Sequence, residues 1–309
     1  MTTPRERIIE NAAARRAARA PSRLSILIPF HKHDPSALIA ALARESGAFD
    51  VALIDDGSAS FDLTHRLAQK LEMLAQPARL IVWEKNAGRA QARNRLIQAA
   101  RATHVLFLDA DTLPAAPGFI RAWLDLAARE NPVAAFGGFS VEGVKTERQT
   151  RVHKALAERS DCRPAAARGP EHVTTCNLMV RREALAALPF DDRFSGWGWE
   201  DVDWALRAER FGPIRQIDNP VLHLGLDPVA ALLRKCAEAG PNFARLLLKH
   251  PDAAARMPSA RAARFMARIP RQGAMRPLLA ALARSPAPIL LRVFALKLYR
   301  TSIYAEHTA

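Results

Sequence analysis

Thr103-His104-Val105-Leu106-Phe107-Leu108-Asp109-Ala110-Asp111-Thr112 is the stretch that decides the fold. Its first six residues form a largely apolar run that reads as a buried strand. The strand ends on two carboxylates one residue apart, and alternate side chains of a strand share a face. In an open α/β sheet, ligands sit beyond the carboxyl ends of the strands. Two acids side by side there are costly without a cation. Oxygen ligands of this kind suit Mg2+ or Mn2+, which keep positions open for phosphate oxygens. Asp109 and Asp111 are therefore candidates to hold a metal-bound nucleotide diphosphate. The plain alternative is a turn that begins at Asp111 ahead of Pro114.

Outward from this point, strand-like and helix-like segments alternate from Leu24 onward. That is the pattern of an α/β fold with a mostly parallel, Rossmann-like sheet flanked by helices. Strands are expected at residues 24–30, 49–54, 79–83, 103–108, 133–139, 175–180, 214–217 and 220–224. Apolar spacing predicts helices at residues 36–44, 63–74, 90–100, 119–129 and 202–210, with another starting at Arg181. Residues 141–173 are rich in Arg and Pro and read as a loop. The chain divides into an Ala/Arg-rich N-terminal segment (1–23), the α/β domain (24–225) and a helical C-terminal extension (226–309). Prolines at 241, 251, 258, 270, 277, 286 and 288 mark expected helix breaks in that extension.

The net charge of +14 belongs to the two ends. Residues 1–25 carry six Lys/Arg against two Asp/Glu, and residues 226–309 carry fourteen against four, whereas residues 26–225 carry twenty-five of each. A neutral middle argues against a nucleic-acid-binding core. Three cysteines without a CxxC pair give neither a disulfide framework nor zinc spacing, which fits a reducing, cytoplasmic setting. No apolar run reaches the ~18 residues of a bilayer span, and the N-terminus lacks the apolar core of a signal peptide.

Three further motifs carry chemistry. Asp55-Asp56-Gly57-Ser58 closes the second strand with a turn, where a carboxylate can accept the N–H of a base or a ribose hydroxyl. Asn86-Ala87-Gly88-Arg89-Ala90-Gln91-Ala92-Arg93-Asn94 opens a helix, and helix N-termini and guanidinium groups both favour phosphate. Gly196-Trp197-Gly198-Trp199-Glu200-Asp201 places two acids at a helix start beside two tryptophans able to exclude water and stack on a sugar. Each has a bland reading: an Asp-Gly turn, a loop of solvated arginines, or first-turn acids with core tryptophans.

Taken in order and spacing, residues 25–30, 55–58, 86–94 and 109–111 resemble the family 2 glycosyltransferases of the GT-A fold. The Gly196–Asp201 motif is similar to the acceptor-side motif of the galactosyltransferase-type C-terminal region. The resemblance covers about residues 24–225. It implies an inverting, metal-dependent transfer of a sugar from a nucleotide-diphosphate sugar, UDP-linked, to a glycan or lipid-linked acceptor in surface polysaccharide synthesis. In that family's terms Asp56 binds the nucleobase, with Pro29 and Phe30 lining its pocket. Arg93 lies near the diphosphate, and Asp109 faces the ribose and metal. Asp111 ligates Mn2+ or Mg2+, and His223 completes the metal site. Asp201 is the catalytic base, Glu200 is its neighbour, and Trp197 and Trp199 meet the acceptor. Residues 161–173 should help form the acceptor pocket, but their Arg163, Pro164, Arg168 and Pro170 match no substrate subclass.

Two rivals remain. A sugar-phosphate nucleotidyltransferase shares the strand-end acids, but it carries a Gly-rich basic loop where this chain has Pro29-Phe30-His31-Lys32-His33-Asp34. A catalytically degenerate glycan- or membrane-binding protein would not need Asp111, Asp201 and His223 together. In residues 288–300, Leu291, Phe294, Ala295 and Leu298 fall on one helical face and Arg292, Lys297 and Arg300 lie away from it. This helix is either interfacial on an anionic membrane, at the inner face of the cell membrane, or packed on the α/β domain.

Overall fold

The computed structural model describes residues 4–16, 22–162 and 170–308. The chain begins with strand β1 (Glu6–Glu10) and helix α1 (Ala12–Arg16), then alternates through β2 (Leu24–Phe30), α2 (Ser36–Leu42), β3 (Phe49–Asp55), α3 (Phe61–Glu72), β4 (Ala78–Trp83), α4 (Arg89–Ala99) and β5 (His104–Leu108). It continues with β6 (Thr112–Pro114), α5 (Phe119–Glu130), β7 (Ala134–Phe136), β8 (Phe139–Ser140), α6 (Arg151–Leu156), β9 (Asn177–Arg181), α7 (Arg182–Ala187), α8 (Glu200–Ala208), β10 (Ile214–Gln216) and β11 (Val221–His223). Five helices follow: α9 (Val229–Lys249), α10 (Pro251–Arg256), α11 (Pro258–Ala267), α12 (Arg276–Arg284) and α13 (Ile289–Ala305).

The main sheet has the order β1-β4-β3-β2-β5-β9-β7-β10. Strands β4, β3, β2 and β5 run parallel, whereas β1 and β9 are antiparallel to their neighbours. The chain winds outward from β2 to β4 and then returns to place β5 on the other side of β2. Strand order therefore reverses between β2 and β5, which opens a crevice at their carboxyl ends. Pro29 and Phe30 end one strand there, and Asp109 follows the other.

Strand alternation explains why both sheet faces are covered. Ile26, Ile28, Leu106 and Leu108 pack with Leu38, Leu67 and Trp123 from α2, α3 and α5. Leu27, Val105 and Phe107 point the other way and pack with Leu96, Leu185 and Trp204 from α4, α7 and α8.

Several expectations shift. Within the Ala/Arg-rich N-terminal segment, residues 6–10 form an edge strand paired with β4, and Glu6 accepts hydrogen bonds from Arg95 and from the Trp83 indole. Just beyond it, Asn11 is buried and donates to the carbonyls of Leu71, Leu74 and Gln76. The single strand expected at 133–139 is broken at Gly137-Gly138 into β7 and β8, which join different sheets. A Cβ on Gly137 would lie 2.4 Å from the Asn177 amide, so only glycine lets the chain cross there. Within the expected loop at 141–173, α6 forms and continues as a π-helical turn (Ala157–Asp161). Arg163, Pro164 and Arg168 lie outside the described residues, and Pro170 begins a short 3-10 turn (Pro170–His172).

In the C-terminal part, Pro241 does not break α9 but sits inside it, whereas Pro251 and Pro258 start helices as expected. Helix α13 does not bury the face its spacing predicts. Ala295 is buried and Leu298 half-buried, but Leu291 and Phe294 are exposed, and Arg292 is buried with its Nε donating to the Ala283 carbonyl. No helix among the described residues is long and apolar enough to cross a membrane.

Candidate active site

Three residues converge beyond the end of β5. The small sheet β6-β11-β8 folds the chain after Asp111 back against β11, pairing Thr112 with His223. His223 Nε2 thereby lies 3.8 Å from Asp111 Oδ1. Ligand atoms of Asp109, Asp111 and His223 all fall within 4.8 Å of one another. A shared ion at bond lengths of about 2.1 Å spans such a gap, and two carboxylates with one imidazole suit Mn2+ or Mg2+. Burial and the neighbouring Asp111 push the Asp109 carboxyl above the usual range, while Arg93 and Arg89 pull it back. The residues fit a divalent cation. Gly225 belongs to the site too: a Cβ there would lie 1.7 Å from Asp111 Oδ2.

A second cluster surrounds Arg93, which is 3% exposed. Its Nη1 lies 3.0 Å from Glu200 Oε1 and 2.9 Å from Asp201 Oδ1. Both acids stand in the first turn of α8, where the free backbone N–H groups favour negative charge. Thr175 adds a backbone N–H to Asp201 Oδ2 at 3.1 Å. Burial nevertheless pushes Asp201 up to about 6, against the opposing pull of Arg93. The Arg93 charge is held well above its ordinary pKa by Asp201, Glu200 and Asp109, outweighing its own burial. One guanidinium therefore sits between the strand-end acids and the acids of α8. The sequence reading placed it near the diphosphate; in the structure its Nη1 pairs with both acids of α8.

Other candidates are placed differently from expectation. Phe30 is 5% exposed and its ring packs in the sheet core with Leu38 and Leu53, so it is not presented as a pocket wall; Pro29, on the other strand face, is partly exposed. Asp56 is buried, and its two oxygens accept the backbone N–H groups of Ala87 (2.6 Å) and Gly88 (3.0 Å). It ties the turn after β3 to the loop before α4, and each oxygen keeps a second lone pair for a ligand. Trp199 packs into an aromatic cluster: it lies tilted against Phe243 and edge-on to Tyr304, and its indole N–H donates to the Tyr304 hydroxyl. Trp197 packs at the edge of the same cluster with the Lys235 ammonium 5.6 Å above its ring.

Thr175, Gly225 and Asn242 escape sequence reading. Asn242, 2% exposed in the middle of α9, donates through Nδ2 to the carbonyls of Ser195 (2.8 Å), Gly198 (3.0 Å) and Trp197 (3.4 Å). Nothing in a helical apolar pattern marks a lone Asn as the anchor of a loop more than forty residues away. A glycine two residues after a candidate ligand was the one signal that could have flagged Gly225.

A strand-end Asp-x-Asp with a histidine thus stands on one side of Arg93, and Glu200 and Asp201 on the other. The sequence profile described as "Glycosyl transferase family 2" matches residues 25–188, more than half of the chain, and the chain belongs to that family. It is a glycosyltransferase. No curated protein gives a significant sequence match. Among solved structures, the fold is similar to the mannosyltransferase PcManGT of Pyrobaculum calidifontis in complex with GDP-Man and Mn2+ (TM-score 0.57, 18% identity, 94% of this chain and 90% of that chain). It is also similar to S. aureus TarS 1-349 in complex with UDP (0.52, 13%, 93% and 90%). A third is glucosyl-3-phosphoglycerate synthase of Mycobacterium tuberculosis with phosphoglyceric acid (0.52, 21%, 75% and 81%). These likenesses define the GT-A fold.

Proposed function

We propose that the protein moves a sugar from a nucleotide-diphosphate sugar, a UDP-sugar, to a hydroxyl of a glycan or lipid-linked acceptor in surface-glycan assembly, with inversion at the anomeric carbon. The observation that carries the reading is the Glu200–Arg93–Asp201 cluster, whose central cation also feels Asp109. It joins a candidate base on one side to the donor-side acids on the other. Asp109, Asp111 and His223 would hold Mn2+ or Mg2+, which offsets charge on the departing diphosphate. Asp201 takes the proton of the acceptor hydroxyl. Arg93 and the Thr175 N–H orient that carboxylate, and Arg93 keeps it from titrating still higher. One displacement with one base needs no second nucleophile, which is why inversion follows. Asp56 offers its remaining lone pairs to the base, with Pro29 beside it.

The test is calorimetry with a panel of UDP- and GDP-sugars in the presence of Mn2+, run on the wild type, Asp111→Asn and Asp201→Asn. The reading expects Asp111→Asn to lose metal-dependent nucleotide binding. It expects Asp201→Asn to bind the donor normally and transfer nothing. Loss of donor affinity in Asp201→Asn would remove the base assignment.

A further inference from the structure

Helix α13 begins with three large apolar side chains on its outer side: Leu290, Leu291 and Phe294 are 58%, 51% and 58% exposed. Leu290 and Phe294 stand one turn apart and Leu291 beside them, so they form one apolar patch and not scattered surface positions. Two exposed arginines lie near the same end: the pKa of the buried Arg292 is lowered by its burial and then by the charges of Arg148, just before α6, and Arg151, at its first position. Helix α6 packs on α13 through Val152, Ala155 and Leu156 against Val293 and Leu296, which fixes Arg151 beside the patch. No carboxylate lies within salt-bridge distance of these three arginines among the described residues. Like charges gathered without counter-ions raise the cost of the folded state unless an anionic surface faces them.

The position of α6 gives this face its meaning. His153, two residues after Arg151, has its ring 6.4 Å from that of His223 in the metal cluster. The apolar and cationic face thus adjoins the donor site through a single short helix. Apolar side chains ringed by arginine match the boundary of an anionic bilayer, where the former enter the acyl region and the latter meet headgroup phosphates. A nucleic acid would leave the leucines and the phenylalanine in water. A second copy of this basic chain would set arginine against arginine.

We propose that the α6–α13 face is the surface on which the protein docks to an anionic bilayer, presenting the donor site to a membrane-borne acceptor. The acceptor half of this statement rests on the glycosyl-transfer reading above; the docking half does not. The experiment is co-sedimentation of the full-length protein with vesicles of phosphatidylcholine alone and of phosphatidylcholine with 30 mol%, roughly a third, phosphatidylserine. Wild type should pellet with the anionic vesicles only. Arg148→Glu and Arg151→Glu should each weaken partitioning about fivefold or more. Phe294→Ser should weaken it with no change in the salt dependence. All three positions are exposed, and metal-dependent nucleotide binding checks the fold of each variant. Equal binding to neutral vesicles, no binding to either, or a solution dimer abolished by Phe294→Ser would overturn the proposal. Unchanged vesicle binding in the variants would overturn it as well, whereas a wild type that pellets with anionic vesicles but binds no nucleotide sugar would count against the transfer reading alone.

Discussion

Replacing Asn242 by aspartate should disable the catalytic helix while leaving donor binding intact. The side chain is isosteric, so packing in α9 is preserved, but the amide that donates to Ser195 and Gly198 becomes an acceptor facing two carbonyls. Each buried carbonyl left unpaired costs roughly 1–3 kcal/mol, so the loop Ser195–Gly198 loses about 2–6 kcal/mol of anchorage. That loop is also conformationally demanding. Gly196 and Gly198 have φ of 76° and 88°, and Trp199 is held at φ 75°, where a side-chain-bearing residue pays roughly 1–2 kcal/mol. Without its anchor the segment relaxes, and Glu200 and Asp201, the next two residues, move with it. A displacement of about 1 Å at a reacting group lowers the rate on the order of 100-fold. The assay is steady-state transfer alongside calorimetric affinity for the Mn2+–nucleotide sugar. The expected outcome is kcat reduced about 100-fold with donor Kd unchanged within about twofold. Wild-type kcat, or donor affinity falling as far as kcat, would refute the argument.

Asp201 as base must be ionised, and burial holds its carboxyl at about 6, so the transfer rate should fall as pH drops through that value. Arg93→Met removes the cation that lowers this pKa and should move the acid limb of the rate profile to higher pH; an unmoved limb would show that another group is the base. Gly225→Ala drives a Cβ into the space of Asp111 Oδ2, and because Asp111 is partly exposed its carboxylate can swing away. Mn2+ affinity should therefore collapse with the thermal midpoint little changed, and wild-type Mn2+ affinity by calorimetry would refute the ligand role. Lys249→Met deletes an ammonium 2.7 Å from the fully buried Asp203, leaving it Arg207 and His250. Denaturant unfolding should show a loss of about 3 kcal/mol, the low end for breaking a buried pair, and no loss would mean that the Arg207 and His250 contacts suffice.

What the sequence made legible is local. Alternating apolar runs located β2 through β5 to within a residue or two, because a strand buried on both faces has to be apolar throughout. Asp109 and Asp111 drew attention because two carboxylates at a strand end are costly without a cation, whereas His223 was reached only through the family resemblance; the structure brings the three together. Residues whose meaning depends on a partner far along the chain were not legible. Glu6–Glu10 carries three charges in five residues, and only its pairing with Trp83 and Arg95 makes it a strand. Arg93 was read as a phosphate contact because no local pattern announces acids 107 and 108 positions away. Phe30 and Trp199 were read as ligand contacts because an aromatic beside a motif looks the same whether its ring turns to the pocket or to the core. The left-handed backbone at Trp199 sends its ring toward α9 and α13.

The helices after residue 228 are consequently part of how the site is held. Helix α8 receives Arg93 and Thr175 at its acids from the α/β side. From the other side α9 supplies Asn242 to the loop before it and Lys249 to Asp203 within it, while α13 supplies Tyr304 to Trp199. Phe194 and Val202 complete the contact by packing with Phe243 and Ile303. Glu200 and Asp201 thus stand on a helix gripped by both parts of the chain. A buried acid pair repels itself and resists desolvation, so it persists only where such a frame over-determines its position. Helix α13, which braces Trp199, also exposes Leu290, Leu291 and Phe294, and it packs on α6, whose His153 ring lies 6.4 Å from that of His223. Tyr304 on α13 and Asn242 on α9 therefore tie the C-terminal helices directly to the segment that leads into Glu200 and Asp201.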